Sequence, residues 1–166
     1  MEHLGSSRIF ASNYQLMFTD SMSREITEEM NWNDEKSLRG YAGDIHTVLV
    51  GTEADLNDHW VDLYLTDTAP NFDKYQRVVC LYFSNETGKL LVSSVIDDEP
   101  SIEAELKKGD YTIYVTANNL GVDQLSLGED AELSDEEYKE RLDLERYSIF
   151  VIAGKPFQQG KFRDIA

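Results

Sequence analysis

The side chains of this 166-residue chain that could do chemistry are chiefly its acids, 32 Asp and Glu against 15 Lys and Arg. Adjacent carboxylates occur at Asp34/Glu35, Asp97/Asp98 and Glu136/Glu137. Such pairs can ligate a hard cation, share a proton in acid–base catalysis, or present negative charge to a basic partner. The first two uses require more than adjacency, which chance alone supplies in so acidic a chain. No Asp-x-Asp-x-Asp-Gly loop is present for calcium, and nothing marks a cleft with a raised carboxyl pKa. The three histidines, His3, His46 and His59, have no metal-ligand spacing, and His59 beside Trp60 reads as a polar residue opening a strand. The single cysteine, Cys80, lies in the apolar run Val78–Phe83 and reads as a small core residue. Alone, it excludes an internal disulfide and a cysteine-based zinc cluster. No Gly-x-Ser-x-Gly elbow, phosphate loop or dinucleotide fingerprint occurs. The chain therefore reads as non-catalytic, with no metal and no cofactor.

The pair Asp34/Glu35 differs from the others in its surroundings. It lies in Trp32-Asn33-Asp34-Glu35-Lys36-Ser37-Leu38-Arg39-Gly40-Tyr41-Ala42, a polar segment with a large aromatic at each end. Trp and Tyr combine an apolar body with a polar tip and often anchor contacts to partners. They serve equally well to pin a long loop onto a core. Gly40 permits a turn that a residue with Cβ resists, and Asp34–Arg39 can form a turn of helix.

The pattern Trp32-x-Asp34-Glu35-x-x-x-x-Gly40-Tyr41-Ala42 resembles the competence protein J family, bacterial inhibitors of the nucleases that act as DNA enters the cell. Asn13-Tyr14-Gln15-Leu16-Met17-Phe18 is similar to the family's opening strand. Lys107-Lys108-Gly109-Asp110-Tyr111 is similar to the turn before one of its late strands. The resemblance runs from Ile9 to Asn118 and has no matching detail in the acidic stretch after Gly121. It implies a tight complex with a DNA-degrading nuclease and assigns no contact roles. Residue chemistry nominates those: Trp32, Asp34, Glu35 and Tyr41 first, then the acids Asp135, Glu136, Glu137 and Glu140.

The charge supports that direction. A net charge of −17 with a pI near 4.4 repels phosphate backbones, so direct nucleic-acid binding is not expected. It favours encounter with a cationic protein surface such as a nuclease cleft, although acidity also serves solubility alone. The N-terminus has no basic-then-apolar signal pattern and no run approaches the length of a membrane span, so a cytoplasmic protein is expected, with no membrane insertion.

These residues must be positioned by strands. Arg8–Phe18 reads as a first strand with Tyr14, Leu16 and Phe18 on one face. Asp44–Thr52, Trp60–Thr66, Gln76–Phe83, Leu90–Ile96, Ser101–Leu106, Tyr111–Ala117 and Tyr147–Ala153 follow, most alternating at period two. Asn85-Glu86-Thr87-Gly88 reads as a hairpin turn. Ser134-Asp135-Glu136-Glu137 forms a capping box opening a helix over 135–144. No βαβ alternation appears. The expectation is all-β: an antiparallel β-sandwich of eight or nine strands with one short acidic helix near the C-terminus. One domain should span 1–166, with 1–7 a loose tail, 121–146 an acidic helical insertion and 154–166 a C-terminal tail. A second reading makes the chain a non-catalytic binding module for a peptide, sugar or regulatory protein, acting through Trp60, Tyr64 and Tyr114 on the solvent faces of strands.

Overall fold

The computed structural model describes residues 1–11, 14–25, 27–53, 57–121, 136 and 145–165. Two sheets face each other across one apolar core. The strands are β1 (Glu2–Ala11), β2 (Gln15–Thr19), β3 (Tyr41–Gly43), β4 (Thr47–Gly51), β5 (Asn57–Leu65), β6 (Arg77–Asn85), β7 (Lys89–Ser94), β8 (Ile102–Glu105), β9 (Gly109–Asn118), β10 (Arg146–Ala153) and β11 (Gly160–Asp164). One sheet has the order β1-β5-β10-β9-β6-β11 and the other β3-β4-β2-β7-β8. Alternation builds the core as read. Val61 and Leu63 of β5, Ile113 and Val115 of β9, and Ile149 and Val151 of β10 face Leu16, Phe18, Val48, Val50, Leu90 and Val92 of the smaller sheet.

The all-β expectation holds, and several of its details do not. The six-stranded sheet is mixed, because β10 runs parallel to β5, with Tyr147 opposite Val61 and Ile149 opposite Leu63, whereas every pair of the five-stranded sheet is antiparallel. The inward set Tyr147, Ile149 and Val151 is the same whichever way the neighbour runs, so alternation is blind to strand direction. Residues 1–7 are not a loose tail. They form most of β1, an edge strand paired antiparallel with β5, whose polar composition reflects one unpaired side and partly exposed faces. There the Ser6 hydroxyl donates to Asp62, and the His3 ring sits 5.2 Å from that of Tyr64. Residues 154–166 include β11, paired antiparallel with β6.

The expected strand Arg8–Phe18 is two strands in different sheets. The break lies between Ala11 and Gln15, where Tyr14 has φ +59° and is exposed, while Leu16 and Phe18 are fully buried. Asn85–Gly88 is likewise no hairpin. It passes the chain from β6 in one sheet to β7 in the other, with Asn85 Oδ1 accepting from the N–H groups of Thr87 and Gly88. Among the described residues, the α-helix with both ends in view is α1 (Asp34–Arg39). The capping box and the helix expected over 135–144 lie outside the described residues except Glu136, which is helical and exposed.

Candidate functional site

The candidate site is built around α1. Asn33 caps it, its side chain accepting from Lys36 N at 2.9 Å, a contact typically worth about 1 kcal/mol. Asp34 and Glu35 fill the first turn, where the helix dipole favours negative charge. Gly40 ends the helix at φ +92°, its N–H on Lys36 O. The Lys36 ammonium folds back, donating to the carbonyls of Glu29 at 2.9 Å and Asn31 at 2.7 Å. That staple ties the turn Glu28–Met30 to the helix and neutralises no carboxylate.

Two aromatics fasten this unit to the sandwich. The Trp32 indole donates to Gln15 Oε1 of β2 at 2.8 Å. Tyr41 packs on the core, carries the Arg39 guanidinium 4.2 Å from its ring centroid, and donates to Gln159 Oε1 at 3.0 Å. Burial raises the Tyr41 phenol above its usual pKa. Trp32 and Tyr41 thus work as pins, and Asp34, Glu35 and Leu38 are held out in solvent. Of the residues nominated from sequence, Trp32, Asp34, Glu35 and Tyr41 form one continuous unit. Glu136 belongs to another part of the chain, and Asp135, Glu137 and Glu140 lie outside the described residues.

Beside α1 lies a cavity of about 360 Å³ that sequence reading missed. Trp32, Ser37 and Gly40 line it together with Tyr14, Thr52, Glu53, Arg77 and Lys161. Arg77 is nearly buried and binds Glu53 and, at 3.3 Å, Asp164. Burial opposes its charge, but these two carboxylates outweigh it and leave its pKa raised. Next to Glu53, Glu145 is buried and accepts from the Tyr147 hydroxyl, from Glu53 N at 2.9 Å and from Gly121 N at 3.2 Å. His59 Nε2 stands 3.8 Å from Glu145 Oε2. Burial, then the Glu145 carboxylate, hold the Tyr147 phenol well above its usual range. No local motif announces this network, since Arg77 and Asp164 lie 87 residues apart and Glu53 and Glu145 lie 92 apart. A lone arginine opening the apolar run of β6 was its one visible sign.

Of the aromatics of the second reading, Trp60 is buried, and Tyr64 and Tyr114 are half-buried against neighbouring rings. Trp60 is 3% exposed, its indole donating to Asp62 Oδ2 at 3.0 Å. Tyr64 stacks on Phe150, and Tyr114 packs against Phe72 and Phe162. Cys80 is buried, as read. Among the described residues no group of three or more His, Cys, Asp or Glu could hold a metal, and no helix is long and apolar enough to cross a membrane.

The chain is thus a two-sheet β scaffold that carries a short capped helix on its surface. The family model Competence protein J (ComJ) matches residues 8–145, and the chain belongs to that family. Its fold is similar to the crystal structure of ComJ from Bacillus subtilis, described as an inhibitor of the DNA degrading activity of NucA. The TM-score is 0.67 at 18% identity, over 92% of this chain and 98% of that one. It is also similar to the protein of crocagin biosynthetic gene J, with a TM-score of 0.58 at 17% identity, over 93% of this chain and 100% of that one. A search of curated proteins by sequence finds no match.

Proposed function

We propose that this chain binds and inhibits a DNA-degrading nuclease, using Asp34 and Glu35 as the carboxylates it presents to the enzyme's basic or metal-containing cleft. The observation that carries the reading is the family match over residues 8–145, within a family whose Bacillus subtilis structure is that of a nuclease inhibitor. The form of the α1 unit supports the residue assignment. Asp34 and Glu35 are exposed on a capped turn whose bases, Lys36 and Arg39, are occupied with backbone carbonyls and a ring. Neither base is shown in an ion pair with them, so both carboxylates stay open to a partner's donors or metal. Trp32 and Tyr41 contribute by holding the turn rigid, which lowers the entropy lost on binding.

The carboxylates act as stand-ins for DNA phosphates, filling a cationic groove and speeding encounter through the −17 net charge. A cation-rich cleft is the surface such a molecule fits. The acids Asp135, Glu136, Glu137 and Glu140 add to the same field. A DNA-degrading nuclease of the same organism should lose DNA cleavage as the chain is titrated in. Undiminished cleavage at excess chain sinks the proposal. An inhibition constant that weakens steeply with salt supports phosphate mimicry, and a flat salt response favours direct ligation of the enzyme's metal.

A further inference from the structure

Exposed apolar side chains on a rigid mount are costly to leave in water and mark contact surfaces when they flank a recognition element. Two of the largest here are Leu38 and Phe157. Leu38 is 77% exposed and lies one helical turn from Asp34, on the same face of α1. Phe157 is fully exposed at 109%, at the tip of the turn joining β10 to β11. That turn is fastened beside α1. Gln159 Oε1 accepts from the Tyr41 hydroxyl at 3.0 Å and from Tyr82 N at 3.2 Å. Lys155 is held over the Tyr82 ring, 5.7 Å from its centroid. A Cβ placed on Gly40 would lie 3.5 Å from Lys161 Cε. Phe162, by contrast, turns inward onto Phe72 and Tyr114.

We infer that Leu38, on α1, and Phe157, in the turn fastened to Tyr41 just after it, are the apolar anchors of the surface on which the nuclease docks. This rests on the inhibitor reading and adds the contact face to it. The occupant is the cationic enzyme and not a second copy of this chain. A second copy would bring −17 against −17 overall, although this face carries Lys36, Arg39, Lys155 and Lys161 beside Glu28, Glu29, Asp34 and Glu35. The arrangement is that of an interface with apolar anchors beside a charged rim, where a few side chains carry most of the binding.

The test is inhibition of the partner nuclease by the full chain and by Leu38→Ala, Phe157→Ala and, as a control of similar exposure, Ile96→Ala, which is 60% exposed. All three positions are at the surface, so the variants should fold, which circular dichroism checks. The inference predicts that Leu38→Ala and Phe157→Ala each weaken inhibition about tenfold or more while Ile96→Ala matches the parent. Parent inhibition with both variants unchanged overturns the inference and leaves the inhibitor reading intact. Variants that change self-association and not inhibition also overturn it, since the face would then belong to a second copy. A parent chain that fails to inhibit removes the inhibitor reading itself.

Discussion

Gly40 lies so close to Val79 that a Cβ added to it would sit 2.7 Å from Val79 Cγ2. Gly40 closes α1 and Val79 is a core residue of β6, so this contact seats α1 directly on the sandwich. At φ +92° any side chain is strained as well. Gly40→Ala should therefore cost about 1–3 kcal/mol and weaken inhibition more than its loss of stability explains. Thermal melts alongside inhibition assays separate the two. A variant as stable and as active as the parent would show that the seating is unimportant.

The buried carboxylate of Glu145 gathers the ends of three segments through Tyr147, Glu53 and Gly121. Glu145→Ala leaves a buried hydroxyl and two backbone N–H groups without their acceptor. Breaking such an arrangement costs about 3–5 kcal/mol, a drop in Tm on the order of 10 °C for a chain of this size. A shift of a degree or two would mean the carboxylate is dispensable.

Asp20 is buried and accepts from Arg24 at 2.8 and 2.9 Å and from Glu86 N at 2.8 Å. Burial alone would raise its pKa, but Arg24 and the Glu86 N–H outweigh it and set the folded value below the usual 3.8. A folded pKa below the unfolded one gives stability that is present above about pH 4 and is lost as pH falls through the lower folded value. Asp20→Asn should thus be less stable than the parent at pH 7, and the gap should narrow in denaturant titrations taken down to pH 3. A gap that stays constant contradicts the assignment.

Burial pushes the Cys80 thiol up to about 11. With almost no thiolate at pH 8, and no solvent path, it should resist iodoacetamide in the native protein and react promptly in denaturant. Labelling of the folded chain at the unfolded rate would show that β6 opens.

How far the sequence exposed this architecture depended on the residue. The strand around Trp60–Thr66 was legible because Val61, Leu63 and Leu65 alternate with polar or ring-bearing neighbours, and β8 because Ile102 and Ala104 alternate with Glu103 and Glu105. The helical turn at Asp34–Arg39 was legible between Asn33 and Gly40, both punctuating residues. The strand at Glu2–Ser7 was hidden, since an edge strand held by ladder hydrogen bonds needs no apolar rhythm. The parallel β5–β10 pair was hidden by the indifference of alternation to direction. Glu145 passed as one more acid in an acidic stretch, because its burial comes from Tyr147, His59 and Glu53, which only the folded chain assembles. At the site, the residue types of Trp32, Asp34, Glu35 and Tyr41 were visible. Their division into pins and exposed acids followed only from the hydrogen bonds to Gln15 and Gln159.

The account rests on Asp34 and Glu35 acting as a placed pair and not as a share of bulk charge. The most direct test compares nuclease inhibition by Asp34→Ala/Glu35→Ala with that by Glu103→Ala/Glu105→Ala, which removes the same two charges from the exposed face of β8. The account predicts that the first double variant loses at least about tenfold in inhibition while the second stays close to the parent. Equal losses in the two would contradict it.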